Sequence, residues 1–222
     1  MRVYKFRDSH WGLKAINECK LKITCVDSTN DPWELLPFDR SNRKINDWMN
    51  RSRADLNSKY GLLCFSRFWH SPVLWAHYAD DHKGLCLAFD VSDDLAKPVD
   101  YLEKAKSIPF KAPDIEIAKT MMYAKYQHWS YEEEIRAWLT LEDKTGGHYF
   151  ASFGESLQLA EIIIGAKSPV SVRTIRKALG SNQQQIPIRK ARFALNEFRV
   201  EADDSFDPTK DTSQLADNSN LL

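Results

Sequence analysis

Long apolar runs are missing from this 222-residue chain: the longest aliphatic run, Ile162 to Ile164, is far short of the roughly 20 residues needed to cross a bilayer. No apolar leader follows the opening Met-Arg-Val-Tyr-Lys-Phe, so neither a membrane span nor a secretory signal is expected. The four cysteines, Cys19, Cys25, Cys64 and Cys86, show no C-x-x-C spacing, which points to reduced thiols and a cytoplasmic protein. The glycine-rich phosphate loops G-x-x-x-x-G-K-[ST] and G-x-G-x-x-G do not occur, and no G-x-S-x-G surrounds Ser66. P-loop, Rossmann and nucleophile-elbow chemistries therefore find no support. Net charge is absent as well, with 31 Lys plus Arg against 31 Asp plus Glu, which argues against a protein that coats nucleic acid.

The charge is nevertheless uneven. From Glu201 onward six acidic residues face the single Lys210, so this stretch carries −5 and residues 1–200 carry +5. The composition of residues 201–222 is that of a disordered acidic tail, and the length of the rest suits one domain over residues 1–200. A modestly basic body suits an anionic ligand. Arg40 to Arg53, rich in Arg, Lys and Asn, suits a nucleic-acid contact or an ordinary solvated helix.

Rings are plentiful. Seven Trp are present, several beside charges, as in Asp31-Pro-Trp-Glu34 and His128-Trp-Ser130, a pattern that fits a cleft with aromatic walls or a core with amphipathic rims. The densest cluster is Leu74-Trp-Ala-His-Tyr-Ala-Asp-Asp-His-Lys-Gly84, where Trp75, His77, Tyr78 and His82 each carry a polar tip that needs a partner or water. His77 and Asp81 share a helix face, but His77 and His82 are five apart, which suits a helical metal pair poorly. Cys64 and Cys86 sit in apolar strands, where a thiol behaves as a small hydrophobe.

The periodicities predict strands at Val3 to Phe6, Leu21 to Val26, Gly61 to Ser66, Leu85 to Val91, Val99 to Leu102, Leu159 to Gly165 and Ile186 to Val200. Helices are expected at Trp11 to Cys19, from Pro72 to a stop at Gly84, from about Asp114 to His128, and from Ser171 to a stop at Gly180. Trp33 to Leu36 and Lys44 to Asn57 read as helical or irregular, the latter exposed. Tyr131 to Leu141 alternates as a strand, with Glu132, Glu134, Arg136 and Trp138 on one face. Three charges in a row ordinarily mark a solvated face. Beside rings, however, a carboxylate pair can bind a sugar hydroxyl and stabilise developing positive charge, and Arg136 can hold a phosphate or neutralise Glu134. Strands joined now by helices and now by turns predict an α+β fold, with a mixed or two-sheet β core, flanking helices and a cleft.

Tyr4-Lys-Phe6, Asn30-Asp-Pro-Trp-Glu34, Cys64-Phe-Ser66, Trp75-Ala-His-Tyr-Ala-Asp-Asp-His-Lys-Gly84 and Tyr131-Glu-Glu-Glu-Ile-Arg136 together resemble, over about residues 3–165, a widespread bacterial family of poorly defined function. Trp33 stands where that family usually has Phe. More distantly, the same order resembles the ADP-ribosyltransferase superfamily, whose members bind NAD in a cleft and carry a reactive Glu on a late strand. That resemblance implies an NAD-consuming toxin or phage-defence effector that transfers ADP-ribose to a protein or nucleic-acid acceptor, with an antitoxin or other partner protein. It implies that Glu134 stabilises the transition state as nicotinamide leaves and that Glu132 helps choose or deprotonate the acceptor. Tyr4, Lys5, Ser66, Trp75, His77, Tyr78 and Arg136 would then hold NAD. The alternative reading is a non-catalytic sensor module that binds a nucleotide or nucleic acid in the same aromatic cleft.

Overall fold

The computed structural model describes residues 1–108 and 114–210. In chain order the helices are α1 (Ser9–Glu18), α2 (Arg43–Lys59), α3 (Pro72–Tyr78), α4 (Asp114–Tyr123) and α5 (Val172–Leu179). The strands are β1 (Arg2–Arg7), β2 (Lys20–Lys22), β3 (Thr24–Cys25), β4 (Tyr60–Ser66), β5 (Leu85–Val91), β6 (Ala96–Pro98) and β7 (Asp100–Leu102). They continue as β8 (Ala124–Tyr126), β9 (Glu134–Thr140), β10 (Phe150–Ser152), β11 (Leu157–Ile164), β12 (Ile188–Phe193) and β13 (Val200–Ala202). Helices alternate irregularly with strands, and parallel and antiparallel pairings both occur, so the class is α+β with mixed β structure.

The chain divides into two compact units, each drawn from separate stretches of sequence. The first takes Met1–Leu21, Phe65–Ser92 and the chain from Ser152; the second takes Lys22–Cys64 and Asp93–Ala151. The tail expected from residue 201 includes the last two residues of β13, and its residues 211–222 lie outside the described residues.

In the first unit β5 is central. It pairs antiparallel with β1 on one side and β11 on the other, β11 pairs parallel with β12, and β12 turns back as β13. The unbroken run Leu85-Cys-Leu-Ala-Phe89 is buried throughout, as a strand covered on both faces requires, and its exposed Asp90 is gripped by both Arg2 nitrogens at 2.7 and 3.0 Å. α1 packs on β1, β5 and α5 through Gly12, Leu13 and Ile16; a Cβ on Gly12 would lie 3.0 Å from Leu85. Ser171 caps α5, whose Val172, Ile175 and Leu179 form the buried stripe, and Gly180 ends it at φ +65°.

In the second unit Leu35, Leu36, Phe38, Met49, Leu62 and Met121 form the core. α2, capped by Asn42, contributes only Met49 as a fully buried side chain, consistent with its polar sequence. β3 pairs with β4, β4 neighbours β9, β9 pairs with β6, and β7 lies parallel to β8.

Four expected elements end or run differently. The helix expected over Val73 to Ala79 behind Pro72 spans Pro72–Tyr78, but its stop is not Gly84: Asp80, Asp81 and His82 already turn into left-handed conformations with φ of 46, 50 and 69°. Gly84 serves close approach instead: a Cβ there would stand 2.1 Å from the Arg7 carbonyl oxygen. The helix expected to reach His128 gives way after Tyr123 to β8, whose backbone is claimed by the ladder with β7. The strand expected over Leu21 to Val26 is broken at Ile23, whose N–H donates to Tyr149 O. The last strand region is two strands, β12 and β13, separated by a six-residue turn.

Candidate functional site

β9 places Glu134, Arg136 and Trp138 on one face by simple alternation. That face is not the solvated one that three charges suggest: Glu134 is 2% exposed and Arg136 is 0%. The reason is a set of partners from distant segments. Arg136 grips Glu34 with two nitrogens at 2.6 and 3.0 Å, Glu134 with two at 2.9 and 3.1 Å, and the Met122 carbonyl at 2.8 Å. Those five bonds match the five N–H donors of a guanidinium, so burying it leaves nothing unsatisfied. The guanidinium lies 5.9 Å from the centre of the Trp138 ring, whose own N–H shares the Met122 carbonyl at 2.9 Å.

Lys125 completes the cluster. Its Nζ donates to Glu134 at 2.8 Å and to Glu132, and lies 5.1 Å from the centre of the Trp129 ring. Glu132 ends the tight turn Gln127–Glu132, and the left-handed Glu133, φ +42°, swings the chain from that turn into β9 so that both carboxylates reach one ammonium. Tyr101 Oη accepts a hydrogen bond from the Glu134 N–H at 2.8 Å. The cluster thus holds three carboxylates and two cations within one buried volume.

Burial by itself would raise the Glu134 carboxyl, but Arg136 and Lys125 overcome it and hold the group well below the usual carboxylate range. Glu34, which shares Arg136, goes the other way: burial pushes it up, more than Arg136 pulls it down, and the nearby Glu134 charge adds to the rise. Lys125 and Arg136, which burial would lower, are instead raised by their carboxylates. Burial pushes the Tyr101 phenol up to about 12. Both cations are therefore locked in the charged form.

A cavity of about 290 Å³ lies in the same unit. Tyr101 and Lys125 stand opposite each other in the β7–β8 ladder and reach the ion cluster; their neighbours Leu102, Ala124 and Tyr126 line the cavity, and Lys125 borders it as well. Trp33, Leu36 and Pro37 supply further walls, and the exposed Glu103 and Lys104 also border it. The Trp33 and Tyr126 rings remain 57% and 44% exposed. An apolar floor with two open aromatic rings can hold a flat ring.

The other sequence candidates lie in the first unit. Tyr4 on β1 stands directly opposite Ser66 at the end of β4, so two of them are brought together; the Tyr4 phenol is raised by partial burial. Lys5 is buried, 5.8 Å from the centre of the Phe65 ring. Trp75 is fully buried; its N–H donates to the Trp69 carbonyl at 2.7 Å and its ring meets Phe6 edge-on. It is therefore a core ring with its polar tip satisfied and presents no face to a ligand. His77 is exposed and Tyr78 half-buried, ring edge to ring face. Glu132, Glu134 and Arg136 form one cluster in the second unit, as described.

The residues that sequence reasoning did not single out are Glu34, Lys125, Tyr101 and Tyr126. For Glu34 a signal existed, since it ends the Asn30-Asp-Pro-Trp-Glu34 motif; Lys125 and Tyr126 were read as helix. Among the described residues no group of three or more His, Cys, Asp or Glu is arranged to hold a metal ion, and no helix is long and apolar enough to cross a membrane. Comparison with protein-family models, with curated proteins and with solved structures gives no match.

Proposed function

We propose that this protein binds a nucleotide, NAD being the first ligand to test, and that the base sits in the second unit between Trp33 and Tyr126. The observation that carries this reading is the cavity itself. Two exposed rings flank an apolar floor, and a base stacked on such rings gains about 1–3 kcal/mol. A volume of about 290 Å³ lies at the lower end of small-molecule sites, which suits one base or nucleoside and not a whole dinucleotide. Behind it, the buried ion cluster anchors the opposite face of the β7–β8 ladder through Lys125 and Tyr101, and so holds the cavity wall in place.

The experiment is a titration with NAD, ADP-ribose and AMP, followed by the thermal midpoint and by Trp fluorescence. A ligand that binds only the folded state raises the midpoint. Trp33→Ala is expected to weaken binding at least tenfold, at an unchanged midpoint of the free protein. Absence of a shift with all three ligands, or undiminished binding by the variant, would overturn the reading.

A second reading is transfer of ADP-ribose from NAD to an unidentified macromolecular acceptor, and it is favoured by one specific feature. Glu132 and Glu134 lie side by side on a single ammonium, and glycosidic cleavage also draws on a pair of carboxylates. In that reaction the bond between nicotinamide nitrogen and the ribose anomeric carbon breaks, its electron pair leaves with nicotinamide, and Glu134 stabilises the resulting oxocarbenium-like centre. Glu134 would have to exchange a cation for the ribose at that moment. Glu134→Gln leaves Arg136 paired with Glu34 and Lys125 paired with Glu132, so the variant is expected to fold. Loss of NAD-dependent nicotinamide release in this variant supports the enzyme; an unaltered rate, or none in the parent protein, removes it.

A further inference from the structure

We propose that His82 is an acid-sensitive latch which, while neutral, holds the β12–β13 hairpin against the first unit and releases it on protonation. His82 belongs to the Trp75 to Gly84 motif, and no part of the ligand reading uses it. Its ring is buried between two others, stacked on Trp75 at 6.5 Å and 9°, and meeting the hairpin's Phe193 at 4.9 Å and 71°. Its Nδ1 has no hydrogen-bond partner among the described residues.

The backbone that carries the ring is held from several sides. The His82 N–H donates to Trp75 O at 3.2 Å, its carbonyl accepts from Lys167 N–H at 3.0 Å, and φ is +69°. Gly165 crosses so close that a Cβ there would stand 2.2 Å from the His82 carbonyl oxygen.

The charged groups around it decide the sign. From the segment after β11, Lys167 repels an imidazolium and places its own ammonium 5.8 Å from the centre of the Phe193 ring. On the turn itself the exposed Asp81 attracts, with the smaller effect. α3 offers the Trp75 ring, and from the hairpin Lys190 is engaged with the Ser168 carbonyl at 2.9 Å. Burial first, and Lys167 second, hold the imidazole below its ordinary 6.5.

Besides the parallel ladder of β12 with β11, which opening must also part, the hairpin has an attachment of a different kind. Val200 N–H donates to His70 O at 2.8 Å, and His70 Nδ1–H donates back to Val200 O at 2.9 Å. This clamp runs between the approach to α3 and β13 and does not involve the His82 ring. Beyond it the turn carries Leu195 and Phe198, 92% and 103% exposed, so release frees an element that already presents apolar side chains.

Linkage fixes the direction. An open hairpin lets His82 titrate at about 6.5, whereas the closed one titrates lower; closure is at full strength above 6.5 and is lost as pH falls toward the folded value. The test is amide hydrogen exchange at pH 7.5, 6.5 and 5.5, corrected for intrinsic rates. Opening of Ile188–Phe193 and Val200–Ala202, relative to β1 and β5, is expected to grow by up to about tenfold per pH unit below 6.5. His82→Asn, which tolerates the left-handed backbone and cannot titrate, is expected to remove the growth. His70→Asn is expected to raise opening at every pH and keep the slope. A flat wild-type profile, a slope that survives His82→Asn, or one that vanishes with His70→Asn would overturn the proposal. Should His82→Asn fail to fold, nuclear magnetic resonance titration of the wild-type ring decides: a value below 6.5 supports the latch, and one at or above it refutes the latch.

Discussion

Each unit buries ionisable groups, and the two do so in opposite ways. In the second unit five charges, Glu34, Lys125, Glu132, Glu134 and Arg136, satisfy one another, and Arg136 spends every donor it has. In the first unit one imidazole, His82, is held by rings and backbone, with Nδ1 unanswered. The contrast teaches that burial alone does not set the behaviour of an ionisable group. Partners hold Glu134, Lys125 and Arg136 in the charged form, while the absence of one favours the neutral imidazole and leaves it sensitive to acid.

The strongest way to break the comparison is Arg136→Met. It leaves Glu34 without a cation and Glu134 with Lys125 alone, and is expected to cost about 3–5 kcal/mol in urea unfolding. A loss under 1 kcal/mol would mean that the cluster is solvated. Next comes an acid scan of the wild-type protein. Glu134 titrates below its ordinary 4.5 when folded, so its contribution is complete above that value and fades as pH falls beneath it, by up to about 1.4 kcal/mol per unit. Glu34 has the opposite sign, its folded value being raised, so it costs stability as pH rises; sharing Arg136, the two titrate as a pair. Hairpin exchange should therefore respond from 6.5 downward, whereas the loss of stability that Glu134 brings begins only below about 4.5. Coincident responses would merge the two regions into one. The smallest effect is expected from Glu132→Gln, which turns three carboxylates and two cations into a balanced set and should shift stability by no more than about 1 kcal/mol.

What was legible in the sequence follows from the range of the physics involved. The alternation of Glu134, Arg136 and Trp138 is local and could be read, whereas Glu132, expected on the same strand face, reaches the cluster from the turn before β9; that the charged face is the buried one could not be read, because Glu34 joins it from 102 positions away. Lys125 was hidden for a different reason. The run through Ala124 to Tyr126 continues the pattern of α4, and only the ladder with β7 turns it into a strand. The strand, helix, strand stretch from β4 to β5 was legible because Pro72 and the apolar run of β5 are local signals. Trp75 looked like a pocket wall since its polar tip demanded a partner, and the partner is the backbone carbonyl of Trp69. The left-handed turn at Asp80 to His82 leaves no composition mark, which is why Gly84 was read as a helix stop.

The order in which the chain is made gives Arg136 one more consequence. Glu34 leaves the ribosome about a hundred residues before the guanidinium that pairs with its carboxylate, and the two units are interleaved so that neither is complete until the later stretches are out. Until then Glu34 can stay hydrated in an open chain, since burying it early would strand a charge. The cluster therefore acts as a checkpoint late in synthesis: closure of the second unit waits for β9, and a chain truncated before Arg136 is expected to keep that core open to proteases.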